Sequence, residues 1–113
     1  MFTESSLRKI KDFSANDPIV SLYLNTEPSR GNAETHRLRL RNMIKDISLK
    51  QDADAIEKFF NFTYDWSGRS VAVFSCAPAG FFESISLAIP VKDFIQIGSR
   101  AAVAPLEELL EEY

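Results

Sequence analysis

Two kinds of side chain that build catalytic and metal centres are almost missing from this chain, which has one cysteine, Cys76, and one histidine, His36. A single thiol excludes an internal disulfide and a cysteine-based metal cage, and a single imidazole leaves a histidine cluster without material. Glycine is sparse and scattered, at Gly31, Gly68, Gly80 and Gly98, which excludes a phosphate-binding loop or a dinucleotide fingerprint. No apolar run is long enough to span a bilayer. The N-terminal stretch Met1-Phe-Thr-Glu-Ser-Ser-Leu-Arg-Lys-Ile10 alternates charged and apolar residues without the apolar region of a secretory signal. Internal repeats, low-complexity tracts and linkers are also absent. The expectation is a cytoplasmic protein with no metal, no cofactor and no membrane partner.

What the chain does have is enough apolar material for one core. Its 113 residues are 45% hydrophobic and include nine phenylalanines, which argues for a single folded domain rather than disorder. Thr3 can cap a first helix that places Leu7, Ile10 and Phe13 on one side, closed by Ser14-Ala-Asn-Asp-Pro18. Ile19-Val-Ser-Leu-Tyr-Leu24 reads as a strand with Val20, Leu22 and Leu24 on one face and Ile19, Ser21 and Tyr23 on the other, both at least partly covered. Residues 52–60 predict a helix with Ile56, Phe59 and Phe60 inward and aspartates near its positive end, broken by Trp66-Ser-Gly68. Val71 to Cys76 and Phe81 to Ile89 then form a hairpin around Ala77-Pro-Ala-Gly80. Phe94 to Ile97 predicts a short fourth strand. Pro105 opens a last helix with Leu106, Leu109, Leu110 and Tyr113 on one face and four solvated glutamates. The fold class is therefore α+β, a sheet of about four strands containing a hairpin and sandwiched with helices. Ending on an amphipathic helix, residues 1–113 read as the first domain of a longer protein.

Charge is distributed unevenly. Residues 30–50 contain Arg30, Arg37, Arg39, Arg41, Lys45 and Lys50 against Glu34 and Asp46, a local balance of +4 in a chain of net charge −3, which leaves −7 elsewhere. The alternation Arg37-Leu-Arg-Leu-Arg41 resembles a strand, but over a wider window a helical period gathers Leu40, Met43, Ile44 and Ile47 into one stripe. The same period sets Arg37, Arg41 and Lys45 in an i, i+4, i+8 row, with Leu38 and Leu49 nearly opposite the stripe. Such a row can follow a phosphate backbone, and arginine's planar fork suits phosphate oxygens. Ordinary surface pairing competes with that reading: Glu34 stands three before Arg37, and Asp46 projects close to Arg39. Each such pair is worth only ~0.3 to 0.5 kcal/mol. No aromatic lies within the helix to stack bases, so contact with RNA here reads backbone and shape. His36, opening this helix, is expected at the solvated surface, and Cys76, ending an apolar strand, as an inert core thiol. Enzyme chemistry would need a pocket that gathers His36, Cys76 and a carboxylate.

The segments Asp17-Pro-Ile-Val-Ser-Leu-Tyr-Leu-Asn-Thr-Glu-Pro-Ser-Arg30, Arg37-Leu-Arg-Leu-Arg-Asn42, Tyr64-Asp-Trp-Ser-Gly-Arg-Ser-Val-Ala-Val-Phe-Ser-Cys-Ala77 and Gly80-Phe-Phe82, in their order and spacing, resemble one known domain. This is the N-terminal domain of bacterial proteins related to archaeal and eukaryotic class-1 peptide chain release factors. The resemblance covers nearly the whole chain, including Pro105-Leu-Glu-Glu-Leu-Leu-Glu-Glu-Tyr113, where the join to a following domain would lie. It implies a three-domain parent whose first domain faces the ribosomal A site on the small-subunit side, with hydrolysis of peptidyl-tRNA performed by a Gly-Gly-Gln loop in the second. This chain has no Gly-Gly pair, and its glutamines are Gln51 and Gln96, so no catalytic residue is assigned to it.

The classical domain reads stop codons with an Asn-Ile-Lys-Ser tip and a Tyr-x-Cys-x-x-x-Phe hairpin element. Phe74-Ser-Cys76 followed by Phe81 loosely matches the hairpin element, whereas Ile47-Ser-Leu-Lys50 does not reproduce the tip. That departure weighs against codon reading and toward action on stalled or empty A sites, as in ribosome rescue. The same Phe74 and Phe81 also suit a plain hairpin core. The resulting expectation is a non-catalytic domain facing the ribosome or ribosomal RNA through Arg30, Arg37, Arg39, Arg41, Lys45 and Lys50. The alternative is a protein–protein or interdomain docking module with Leu38 and Leu49 as its contact line.

Overall fold

The structure, a computed structural model, describes residues 3–112, with the side chains of 110–112 left aside; the place of Leu110 and Tyr113 on the last helix thus lies outside what is described. Helix α1 (Glu4–Asp12) starts at Thr3, whose hydroxyl accepts the Ser6 N–H at 3.2 Å. It buries Leu7 and Ile10. Phe13 does not continue the helical stripe: the chain turns extended there, and its ring stacks on Phe81 with centroids 3.8 Å apart.

Strand β1 (Ile19–Asn25) and strand β2 (Ser70–Cys76) are buried at every residue. They pair antiparallel at the centre of the sheet, with β3 (Phe81–Leu87) outside β2 and β4 (Phe94–Gly98) outside β1, giving the order β3-β2-β1-β4. The β2–β3 hairpin turns through a single 3₁₀ turn, Ala77–Ala79. Gly80 ends it at φ 67°, a left-handed conformation that costs glycine little.

Strand alternation sorts the side chains into two cores, one on each face of the sheet. Tyr23, Ala72, Phe74, Ile85 and Leu87 meet Leu7 and Ile10 of α1, with Val103 and Leu106 of the C-terminal segment. That segment forms helix α4 (Ala104–Glu112). The hydroxyl of Tyr23 donates to the Ala102 carbonyl at 2.6 Å, and the Ser21 hydroxyl accepts the Ala102 N–H at 2.9 Å, which fastens the approach to α4 onto β1.

On the opposite face, Val20, Leu22, Leu24, Val71 and Val73 meet Leu40 and Ile44 of helix α2 (Ala33–Ile44), and Ile56 of helix α3 (Lys50–Lys58) with Phe60 just beyond it. Met43, Ile47 and Leu49 pack around this core. Leu49 is therefore turned inward, and only Leu38, 57% exposed, remains on the outer side of α2.

Helix α3 does not stop where its sequence pattern does. It widens into a π turn, Phe59–Thr63, in which the Tyr64 N–H donates to the Phe59 carbonyl at 2.9 Å. Phe60 stays buried, Phe59 is half-buried and Phe62 points away from the core, 84% exposed. Asp52 does more than face the helix dipole. Only 2% exposed, it accepts the Ser75 hydroxyl at 2.6 Å and the Ala77 N–H at 2.8 Å, so it ties the first turn of α3 to the end of β2. Asp52→Ala leaves both donors without that acceptor. It should lower the unfolding free energy by about 1–3 kcal/mol, read from urea titration, while Asp52→Asn, which keeps an acceptor oxygen, should cost less.

Candidate nucleic-acid interface

The end of β1, the start of α2 and the loop before β2 converge on one polar corner. Asn25 closes β1 and bends the chain: its side chain accepts the Glu27 N–H at 2.9 Å. The 3₁₀ turn Pro28–Arg30 follows, and Asn32 caps α2 by accepting the Thr35 N–H at 3.0 Å. Thr26 joins this turn to the loop before β2, its N–H donating to the Arg69 carbonyl at 2.9 Å and its hydroxyl to the Gly68 carbonyl at 2.9 Å. A Cβ at Gly68 would lie 2.4 Å from the Ser86 hydroxyl, which would have to rotate away, and 3.1 Å from the Leu87 carbonyl, so a larger residue fits there only tightly.

Arg39 is taken up by this corner. It pairs with Asp93, not with Asp46 as its spacing on the helix suggested. Its second terminal nitrogen, Nη2, donates to the Asn25 carbonyl at 2.6 Å and to His36 Nδ1 at 2.5 Å. Asp93 also accepts the Asn25 N–H at 2.7 Å, so one carboxylate links α2, the end of β1 and the approach to β4. Arg39 thus serves as an internal clasp.

His36 reverses its expectation. It is 2% exposed, not solvated, because the turn ahead of α2 folds over it and Trp66 stacks beside it with ring centroids 6.1 Å apart. Burial, and secondarily the Arg39 guanidinium, hold its pKa below the usual histidine value, against the raising influence of the Glu27 carbonyl and Asp93. Arginine can only donate, so Nδ1 is the acceptor and Nε2 carries the proton in the neutral ring. In the unfolded chain His36 takes up a proton as pH drops through ~6.5, while the folded ring resists until its own lower pKa. The stability it contributes is therefore full above that range and is lost as pH falls through the depressed value. The thermal midpoint should drop between pH 7 and 5.5 more steeply in the parent than in His36→Gln, since no other histidine titrates there.

Arg37 and Trp66 form the other side of the corner. The Arg37 guanidinium carbon lies 5.2 Å from the centre of the indole ring. Phe60 and Tyr64 pack against the same ring at 5.7 and 5.1 Å between centroids. Trp66 itself stands at φ 62°, in a region that bulky residues avoid. Asp65 shapes this turn by accepting the Ser67 N–H at 3.0 Å and the Ser67 hydroxyl at 2.7 Å.

Among the described residues the ion pairs are Lys9–Glu83, Lys11–Glu107, Arg39–Asp93 and Arg69–Glu27. Arg30, Arg37, Arg41, Lys45 and Lys50 take no part in them. Glu34 and Asp46 are exposed without reaching the row. Arg30 in the turn before α2, Arg41 and Lys45 along its flank and Lys50 at the start of α3 are thus exposed and outside the ion pairs, while Arg37 rests on Trp66.

The hairpin candidates sit differently. Phe74 and Cys76 are wholly buried and Phe81 is half-buried against the α1–α4 core. Burial raises the Cys76 thiol pKa, as expected of an inert core cysteine. Cys76 approaches the Asp17 carbonyl before the start of β1, whereas His36 lies by Asn25 at its far end. The strand between spans about 20 Å, so the two are not brought together. Trp66 is the residue that sequence reasoning passes over, since it reads as a helix breaker, and its position 29 residues after Arg37 carries no local signal of contact.

Among the described residues no helix is long and apolar enough to cross a membrane, and no group of three His, Cys, Asp or Glu side chains is placed to hold a metal. No family model matches the chain, and no curated protein matches it. Among solved structures, an "Archaeal protein" shares 19% sequence identity and superposes with a TM-score of 0.63 over 94% of this chain. The chain spans about a third of that protein's length, the matched share being 34%. The likeness is one of fold: an α+β sandwich on a four-stranded antiparallel sheet.

Proposed function

We propose that this chain is a non-catalytic, RNA-facing recognition domain of a release-factor-like protein of translation termination or ribosome rescue, and that α2 is its contact element. One observation carries the reading. The five cations Arg30, Arg37, Arg41, Lys45 and Lys50, outside the ion pairs of the described residues, lie in the turn before α2, on α2 and its C-terminal end, and at the start of α3, in a chain of net charge −3. Cations at positions i, i+4 and i+8 on one helix flank match the spacing of phosphates on a strand. The sequence resemblance supplies the ribosome as the source of that RNA. Cytoplasmic residence and hydrolysis by a following domain belong to the same proposal.

The docking alternative keeps Leu38 as its anchor and loses Leu49, which packs into the core. A single exposed leucine makes a small contact line. Co-sedimentation with ribosomes across a salt series tests the proposal. Binding that weakens steeply with salt and disappears on charge reversal of the row supports it; binding indifferent to both overturns it.

A further inference from the structure

Five buried side-chain polar atoms among the described residues lack a hydrogen-bond partner: Glu27 Oε1, His36 Nε2, Arg37 Nε, Tyr64 OH and Trp66 Nε1. All belong to the corner where α2 begins. Glu27 Oε1 faces Arg69 Nε at 3.2 Å as an ion pair of poor hydrogen-bond geometry, and His36 lies by the Glu27 carbonyl. The two donors at the Arg37–Trp66 contact have no such neighbour. Buried N–H groups are nearly always paired, so an arginine resting on an indole with both Nε–H groups unpaired is an incomplete arrangement. Trp66 adds a strained backbone at φ 62° in the same place, and strain of this kind gathers where a side chain must be presented.

We infer that Trp66 is a stacking site for one unpaired RNA base, and that Arg37 covers the indole in the free protein and exchanges onto the neighbouring phosphate when the strand arrives. The inference rests on the RNA-facing reading and specifies its base-contacting element. A cation over an aromatic ring at a half-exposed site is held weakly, whereas a charge-assisted bond to phosphate is stronger. The exchange is thus downhill once a phosphate is near. The packing of Phe60 and Tyr64 keeps the indole in place while its cover leaves. Arg41, one turn on from Arg37, takes the next phosphate, which sets the strand along the helix.

Trp66 is the sole tryptophan, so its emission reports directly on the site. The full chain is titrated with single-stranded oligoadenylate RNA of about 12 nucleotides in about 50 mM salt, and in parallel with inorganic polyphosphate, which has the charge without the bases. Both should bind. RNA should quench the indole, and Trp66→Leu, which keeps apolar bulk without a π face, should weaken RNA binding roughly five- to a hundredfold while leaving polyphosphate binding unchanged. RNA that binds with unchanged emission overturns the stacking site and leaves the RNA-facing reading standing, and this holds even if Trp66→Leu fails to fold. Polyphosphate that matches RNA in quenching and in its dependence on Trp66 also overturns it. If neither polymer binds, the RNA-facing reading falls and the stacking site with it.

Discussion

Reversing Arg37, Arg41 and Lys45 to glutamate is expected to weaken RNA or ribosome binding by at least about 100-fold near 0.1 M salt. The three side chains share one flank of α2, Arg41 and Lys45 exposed and Arg37 half-buried beneath its contact with Trp66. If all five available cations meet phosphates of a single strand, affinity should fall with salt at a log–log slope of about −3.5, since each neutralised phosphate contributes roughly 0.7. Neutralising the row removes about 2 of that slope, and reversing it adds repulsion. Net charge alone predicts something else, and a matched control separates the two. Arg8, Lys9 and Lys11 lie on α1, across the sheet from α2, and their reversal carries the chain from −3 to the same −9, because each reversal changes the charge by two; since it also opposes Glu83 and Glu107, the ion-pair partners of Lys9 and Lys11, binding is compared at a temperature where both triples are folded by circular dichroism. The α1 triple should bind within a few-fold of the parent. Equal losses from both triples would refute a localised contact face.

Phe74→Ala should produce the largest loss of stability at any position proposed as a recognition element, about 3–5 kcal/mol. Phe74 is fully buried in the central pair of strands, its ring edge-on to Tyr23 at 5.9 Å and 89°. Truncating it opens a cavity between the sheet and the α1–α4 layer, where three backbone layers already fix the spacing and collapse is limited. Against a total stability of 5–15 kcal/mol typical of such domains, that is a substantial share, and the thermal midpoint should fall by roughly 15–30 °C. Phe81→Ala, removing a half-buried ring from its stack on Phe13, should cost only about 1–2 kcal/mol. Denaturant titration of both variants ranks them. A Phe74→Ala protein that melts like the parent but fails on ribosomes would return Phe74 to the role of a recognition residue.

The legible parts of this fold were the ones written in local spacing. The cap Thr3 acts on a residue three positions away. The split of β1 into Val20, Leu22 and Leu24 against Ser21 and Tyr23 follows from the two-residue period of any strand. The stripe of Leu40 and Ile44, with the row of Arg37, Arg41 and Lys45 beside it, follows in the same way from the helical period, which also overruled the strand-like alternation around Leu38. Composition and glycine spacing were equally readable and removed whole classes of site.

What the sequence determined by itself, then, was a two-faced sheet, its helices and the presence of a cationic row. Tertiary structure decided which of those cations stay available. Arg39 and Arg41 are the same residue type two positions apart, and local spacing offers Arg39 only Asp46, yet Arg39 faces Asp93, 54 residues later, and Arg41 faces solvent. His36 and Leu49 were misplaced for a related reason: the turn over His36 and the core beneath Leu49 depend on how the chain closes. Trp66 reached Arg37 only because a π turn and a left-handed residue redirected the chain after α3. Helical and strand periods are set by neighbours a few residues away, whereas a charge finds its partner, or remains without one, through contacts between segments that the backbone brings together only when the two cores close.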